Sequence, residues 1–446
     1  MPVIRPIPAV RYSVSGDIST QIAPPYDVLE QRDKDALLQV NPSNIVAIDL
    51  PHLPPKTAGP DSAYEQARVT FRSWLASGTL HRQAKPALFV YRQRFGDPRS
   101  SQDLQRRGLV ANIALTAPGE AQSSGTILLH EQTFSGPKED RLKLMRATGC
   151  QLSPIFGLVE DPDQEMGPPL ERIIDAAPPS QFGTTDDQVL HELWPVTDPN
   201  DTHQLIEVLN GQDLTIADGH HRFETALNYR RELIAQGRDL PAGHPANFCM
   251  FVVVSMKDPG MLVLPTHRIL GNMSGFSVEA FRLAASGRLN FTPFPDTDLQ
   301  ALEAALPRSG PHAMGLYDPA TPQAPLWVIS CKEADPLATI CSQRSPAWRQ
   351  LDVAICQHLI VEAICEPAFC PNQTSVRWGF AHHLEQVKQN AERPEFQMGL
   401  ILQPMTLEAI SLICHYGELM PQKSTFFYPK LATGLVLNPL DQSVLG

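Results

Sequence analysis

Leu214-Thr-Ile-Ala-Asp-Gly-His-His-Arg-Phe-Glu-Thr-Ala226 reads as a short strand that enters a glycine turn and leaves it as a helix. The apolar run 214–217 predicts the strand, Asp218-Gly219 the turn, and the pattern from about 221 to 234 the helix. A helix start offers free backbone N–H groups and the positive end of the helix dipole, which together form an anion site. His220, His221 and Arg222 stand at that point. Arginine can hold phosphate oxygens in a bidentate fork, and histidine can donate or accept a proton near neutral pH. Asp218 can ligate Mg²⁺ or orient one of the histidines. The plainer alternative makes Asp218 an N-cap and the histidines a solvated first turn. It accounts for a capping residue, but not for three basic residues where a helix prefers acidic ones.

Outward from this unit, strand-like and helix-like segments alternate, so an α/β or α+β fold with mixed sheets is expected. A helix begins at Asp61, read as its cap, and Gly78 stops it. Ala63, Ala67, Phe71, Trp74 and Leu75 supply its apolar face. Strands are expected at 87–91, 109–115 and 126–129, with the polar stretch 95–107 as a hairpin turn or loop. A helix over 138–148, a buried strand over 154–159 and a helix over 201–209 lead to the turn, and 160–188 reads as a helix between loops. The runs 248–256 and 261–264, joined by Lys257-Asp-Pro-Gly260, read as a hairpin. Beyond 269, helices at 278–286 and 299–305 alternate with strands at 313–317 and 326–330. An amphipathic helix over 351–364 and a strand over 396–402 follow. Three regions are expected: 1–120 as α/β, 121–270 holding the turn, and 271–446 as α+β.

Composition narrows the classes. At 446 residues the chain exceeds one ordinary core. A hydrophobic share of 42% with 19% charged residues suits a folded protein. The net charge of -12 speaks against nucleic acid and anionic membranes as partners, while leaving room for a local basic pocket. No run approaches a membrane span or signal peptide, so a cytoplasmic protein is expected. The eight cysteines form no CxxC pair, and only Cys365 and Cys370 lie close. Neither zinc nor haem is expected, and reduced thiols fit best.

Further clusters carry chemistry. His130-Glu131 and Gly136-Pro137-Lys138 precede a helix, with Lys138 and Arg141 in its first turn, where an anionic partner would account for them. Glu131 or His130 can serve as a base for a substrate hydroxyl, whereas Glu139 and Asp140 leave a solvated helix as the alternative. Pro24-Pro25 fixes an extended path that presents Tyr26 and Asp27 rigidly, for substrate or for structure. His267 and Arg268 end an apolar strand, and Lys423, Ser424 and Lys430 surround an aromatic run. Each of these can meet an anion or simply face solvent.

Together these segments resemble a bacterial family catalogued as a domain of unknown function, number 1015. The resemblance spans nearly the whole chain: Ala23-Pro-Pro-Tyr-Asp27, Asn41-Pro-Ser-Asn44, His130-Glu131, Gly136 to Lys138, Arg141, Leu152-Ser-Pro-Ile-Phe156, Ala217 to Phe223, Pro265 to Arg268, Lys423-Ser-Thr425 and Tyr428-Pro-Lys430. The turn also resembles the ParB, sulfiredoxin and free-serine kinase superfamily, whose Gly-x-x-Arg-aromatic motif matches Gly219, Arg222 and Phe223. That resemblance implies a ParB/sulfiredoxin-like strand–turn–helix core with nucleotide phosphates held there. Sulfiredoxin chemistry needs a cysteine where this chain has His220, and ParB-type clamping needs a basic helix-turn-helix that is not evident here. The kinase branch remains, and relatives encoded beside serine-biosynthesis enzymes agree with it. It implies a phosphotransferase using ATP or ADP with Mg²⁺ on a hydroxyl metabolite such as serine, or the reverse or hydrolytic reaction. In that reading Asp218, His220, His221 and Glu131 are catalytic. Gly219, Arg222, Lys138, Arg141, His267, Arg268, Lys423 and Lys430 bind phosphate, and Pro25, Tyr26 and Asp27 face the substrate. A regulator that binds a nucleotide or phosphorylated metabolite without turnover is the rival. Oligomeric state stays open.

Overall fold

A computed structural model describes residues 3–116, 126–131 and 135–440. The chain is a mixed α/β protein that divides into two compact units. One comprises Met1–Leu129, Thr133–Leu262 and Pro429–Gly446, the other His130–Gln132 and Val263–Tyr428. No helix among the described residues is long and apolar enough to cross a membrane.

In the first unit the early strands are β1 (Ile4–Arg5), β2 (Val10–Tyr12), β3 (Gly16–Asp17), β4 (Leu80–Arg82), β5 (Leu88–Gly96) and β6 (Asp103–Ala114). After them come β7 (Ile127–Leu128), β8 (Cys150–Gln151), β9 (Ile155–Val159), β10 (Gln181–Thr184), β11 (Leu190–Val196), β12 (Leu214–Asp218) and β13 (Phe248–Ser255). The helices are α1 (Gln31–Val40), α2 (Val46–Asp49), α3 (Asp61–Ala76), α4 (Ser135–Thr148), α5 (Gly167–Ala176), α6 (Pro199–Leu209) and α7 (His220–Ala235). A ten-stranded mixed sheet runs β3-β10-β11-β5-β6-β13-β9-β12-β7, with β1 also on β6. Its centre is β13, buried along its whole length, as a continuous apolar run between two neighbours should be. It pairs antiparallel with β6 and parallel with β9.

Several sequence expectations change here. The stretch 95–107 holds a hairpin turn, but a shorter one than expected, because β5 and β6 pair antiparallel as far as Gly96 and Asp103. Its strand ends were hidden by polar residues: Arg106 and Arg107 are buried and find polar partners inside. The 248–264 hairpin does not form, since β13 gives both its edges to β6 and β9 and Leu262–Leu264 joins another sheet. Residues 160–188 contain β10 as well as α5. Asp61 is not a cap. The N-cap of α3 is Pro60, and Asp61 accepts a bond from Lys143 Nζ at 2.8 Å.

The second unit carries β14 (Leu262–Leu264), β15 (His267–Gly271), β16 (Leu289–Pro293), β17 (Met314–Tyr317), β18 (Trp327–Cys331), β19 (Arg377–Ala381), β20 (Phe396–Ile401) and β21 (Phe426–Tyr428). Six of them form a sheet, β16-β18-β17-β20-β15-β19, antiparallel throughout. Helices α8 (Val278–Ala285) and α9 (Leu299–Ala305) accompany it, and Ile269, Leu302, Val387 and Ile401 meet in its core. The helix expected over 351–364 is π-helical over Ile355–Cys365. After β21 the chain re-enters the first unit, where β22 (Asn438–Pro439) pairs with β8.

Candidate functional site

The bulged end of β12 delivers Asp218 opposite Phe156 of β9. Gly219 then takes a left-handed conformation, φ 97°, and caps α7 without any side-chain bond. A Cβ there would lie 3.0–3.1 Å from the Arg222 guanidinium, so glycine serves both the turn and the close return of that side chain. The helix is fastened by Phe223, Ala226 and Leu233, all buried, and Phe223 meets Phe251 of β13 edge-on at 6.3 Å. Strand, turn and helix therefore stand as expected.

Arg222 donates to Asp218 Oδ2 at 3.0 Å and to the Pro154 carbonyl. Lys430 Nζ lies 3.3 Å from Asp218 Oδ1. Burial alone would raise the Asp218 carboxyl, but Lys430 and Arg222 outweigh it and hold the group far below the usual carboxylate range. Both oxygens thus face cations, which leaves Asp218 poorly placed as a magnesium ligand. Among the described residues no cluster of three or more His, Cys, Asp or Glu is arranged to hold a metal. Lys430 is held by its backbone: Gln93 donates to its carbonyl at 2.9 Å, and buried Arg106 donates to Gln93 and the Pro429 carbonyl.

Arg141 and Tyr26 belong to a neighbouring buried network. Arg141 donates to the Asp49 carbonyl at 2.7 Å, to Asp49 Oδ1 at 3.1 Å and to Asp140 Oδ2 at 2.8 Å, and its guanidinium lies 3.8 Å over the Tyr26 ring. Tyr64 donates to the other Asp140 oxygen, and Ser153 to Asp49. Arg141 therefore has carboxylate partners already, instead of presenting an open guanidinium to a ligand. A cavity of about 40 Å³, room for ordered water, adjoins Arg141, Arg222, Asp49, Ser153 and Cys249. Burial pushes the Cys249 thiol up to about 12, so no thiolate forms there.

His220 is buried and His221 half-buried at the first turn of α7. Burial lowers the His221 imidazole below its ordinary value; Glu224 and Asp27 oppose this, while Lys56 and Lys138 add to it. Lys138 donates to Glu224 at 2.8 Å. Pro25 caps the turn Tyr26–Val28. Asp27 keeps Oδ1 buried without a hydrogen bond, and its Oδ2 lies 3.8 Å from Lys56 Nζ. Asp49, Asp140, Ser153, Glu224, Gln93 and Arg106 were missed in the sequence. Ser153, Asp140 and Glu224 lay inside stretches already singled out, but without a role in the site.

Glu131, His267, Arg268 and Lys423 belong to the second unit. Glu131 accepts the Lys423 N–H at 3.1 Å. His267 and Arg268 do not face solvent: both lie within β15 and are buried, 1% and 2% exposed. His267 Nδ1 accepts the Leu402 N–H, which makes it a fastening of the sheet.

The class so defined is a mixed α/β protein whose strand–turn–helix unit sets two cations on one carboxylate at a helix N-terminus. The chain belongs to the family described as "Protein of unknown function (DUF1015)", which matches residues 4–354. No curated protein matches it. Among solved structures it is similar to a free serine kinase in complex with AMP, at 13% identity and TM-score 0.33, covering 72% of this chain and 90% of that one. SbnI with C-terminal truncation from Staphylococcus aureus gives 11% identity and TM-score 0.33, covering 75% and 92%. A conserved hypothetical protein from Pyrococcus furiosus gives 16% and 0.30, covering 68% and 88%.

Proposed function

We propose that the Asp218–Arg222 turn binds the phosphate of a small ligand, and that the protein moves a phosphoryl group between a nucleotide and the hydroxyl of a small metabolite, free serine being the first candidate. One observation carries this reading. Arg222 and Lys430 converge on the carboxylate of Asp218 at the positive end of α7, where a helix start favours an anion. A phosphate there would meet the Arg222 guanidinium and use the free N–H groups of the first turn. His221, kept neutral by burial, is suited to accept the hydroxyl proton. ATP or ADP would bring Mg²⁺ on its phosphates, as that ion usually binds.

The test incubates the protein with ATP or ADP, Mg²⁺ and an amino-acid panel, with phosphoserine read by mass spectrometry. Phosphoserine formation is the expected result. Arg222→Ala should weaken nucleotide binding about ten- to a hundredfold, the worth of a charged hydrogen bond, with the circular dichroism spectrum kept. Unchanged affinity in that variant would remove Arg222 from the site.

A second reading, a regulator that binds without turnover, draws on a different observation. Lys138 is tied to Glu224, and Arg141 to Asp49 and Asp140, so cations that transfer would need are already engaged. Nucleotide binding with no product from any acceptor would favour it.

A further inference from the structure

The second unit contains a cavity of about 320 Å³, the size of a small-molecule site. One wall is the face of β15 and β19. Arg268 and Phe380 are register partners across these strands, and Trp378 lies two residues along on the same face. The Trp378 and Phe380 rings are nearly parallel, 11° apart with centroids 6.2 Å from each other, and the Arg268 guanidinium stands 5.0 Å over Phe380. The opposite wall is the π-helix Ile355–Cys365 and the turn after it, which contribute Gln357, Glu362 and Glu366. π-Helical winding is rare and recurs at functional sites.

The charges in this cavity are unusual for an unliganded core. Arg268 is 2% exposed, yet it donates only to the carbonyls of Thr266 at 2.8 Å and Gln422 at 3.5 Å. Glu131 is the carboxylate whose charge bears on it, and Glu131 already accepts the Lys423 N–H, while Glu362 and Glu366 line the cavity itself. Glu362 is engaged by Gln357 and His358, whereas Glu366 accepts the Val376 N–H through one oxygen. A buried cation whose hydrogen bonds go only to carbonyls is costly, and carboxylates held apart from it relieve little of that cost. The cavity is thus dipolar, positive at Arg268 and negative at Glu366, with a flat aromatic platform beside them.

We infer that this cavity is a second binding site, for an aromatic amino acid. The ligand carboxylate pairs with Arg268, its ammonium with Glu366, and its ring lies on Trp378 and Phe380. The inference is independent of the reading of the Asp218 turn, and neither outcome below bears on that one.

Calorimetric titration of the full chain with phenylalanine tests it. Saturable binding is expected. Loss of any one feature, in 3-phenylpropionate (no amine), 2-phenylethylamine (no carboxylate) or serine (no ring), should weaken binding by about tenfold or more. Arg268→Gln should abolish binding. If that buried variant fails to fold, Glu366→Gln and Phe380→Ser, both at less buried positions, should each lower affinity about tenfold. No binding of phenylalanine, equal binding of 3-phenylpropionate, or tighter binding of AMP that depends on Arg268 would each overturn the proposal.

Discussion

Replacing Arg141 by methionine is expected to destabilise the first unit by about 3–5 kcal/mol, the cost of leaving a buried charge without its partner. Methionine keeps much of the side-chain volume, so a cavity contributes little. What is lost is charge. Asp49 and Asp140 are 3% and 2% exposed, and Arg141 is the cation that both of them contact. Burial already raises the Asp49 carboxyl against the pull of Arg141 and Ser153, and without Arg141 it would rise further and take up a proton. Urea denaturation of wild type and variant at neutral pH measures the difference. Adding Asp49→Leu to the variant should restore part of the loss, because a buried ion pair replaced on both sides by apolar groups is often close to neutral. A loss below about 1 kcal/mol would mean that water reaches this network, and its role in holding Tyr26 would go with it.

The turn was legible because its signals are local. Four residues of β-forming or small character, a glycine and a run of helix formers fix strand, turn and helix without distant help. The polar clusters at Tyr26, Lys138, Arg141 and Lys430 were also visible as chemistry. Their partners were not, since Asp49 lies 92 residues from Arg141 and Glu224 lies 86 from Lys138. Polar residues inside strands were the main source of error. Arg106 fell in the expected turn and Gln93 beyond the expected strand end, because polar residues imply solvent, yet here both face inward and fix the backbone at Pro429 and Lys430. That link also explains why the end of the chain returns to the first unit, a long-range pairing that no local pattern announces. His267 and Arg268 repeat the error in the second unit.

Both units should lose stability between pH 6.5 and 5, each through one buried histidine. His191, 1% exposed in β11, has Tyr91 Oη 2.6 Å from Nδ1 and Thr185 Oγ1 2.9 Å from Nε2. Burial pushes it down to about 3, with nearby Arg106 adding to the effect. In the unfolded chain the group titrates near 6.5, so below that pH the unfolded state binds a proton the native state refuses. The sign follows: this contribution is full above pH 6.5 and is lost on acidification at about 1.4 kcal/mol per pH unit until the folded value is reached. By pH 5 the loss is about 2 kcal/mol. His267 acts alike in the second unit, pushed down to about 3 chiefly by burial, then by Arg268 and His383. Asp49 and Asp258, both raised by burial, work in the opposite direction as the pH falls, so the histidine share must be isolated by mutation. Glutamine at 191 can still bond to Tyr91 and Thr185 but carries no titrating group. His191→Gln should therefore unfold in urea at nearly the same midpoint as wild type at pH 7.5, and at a higher one at pH 5. Parallel pH dependence of the two proteins would show that His191 takes its proton in the folded state.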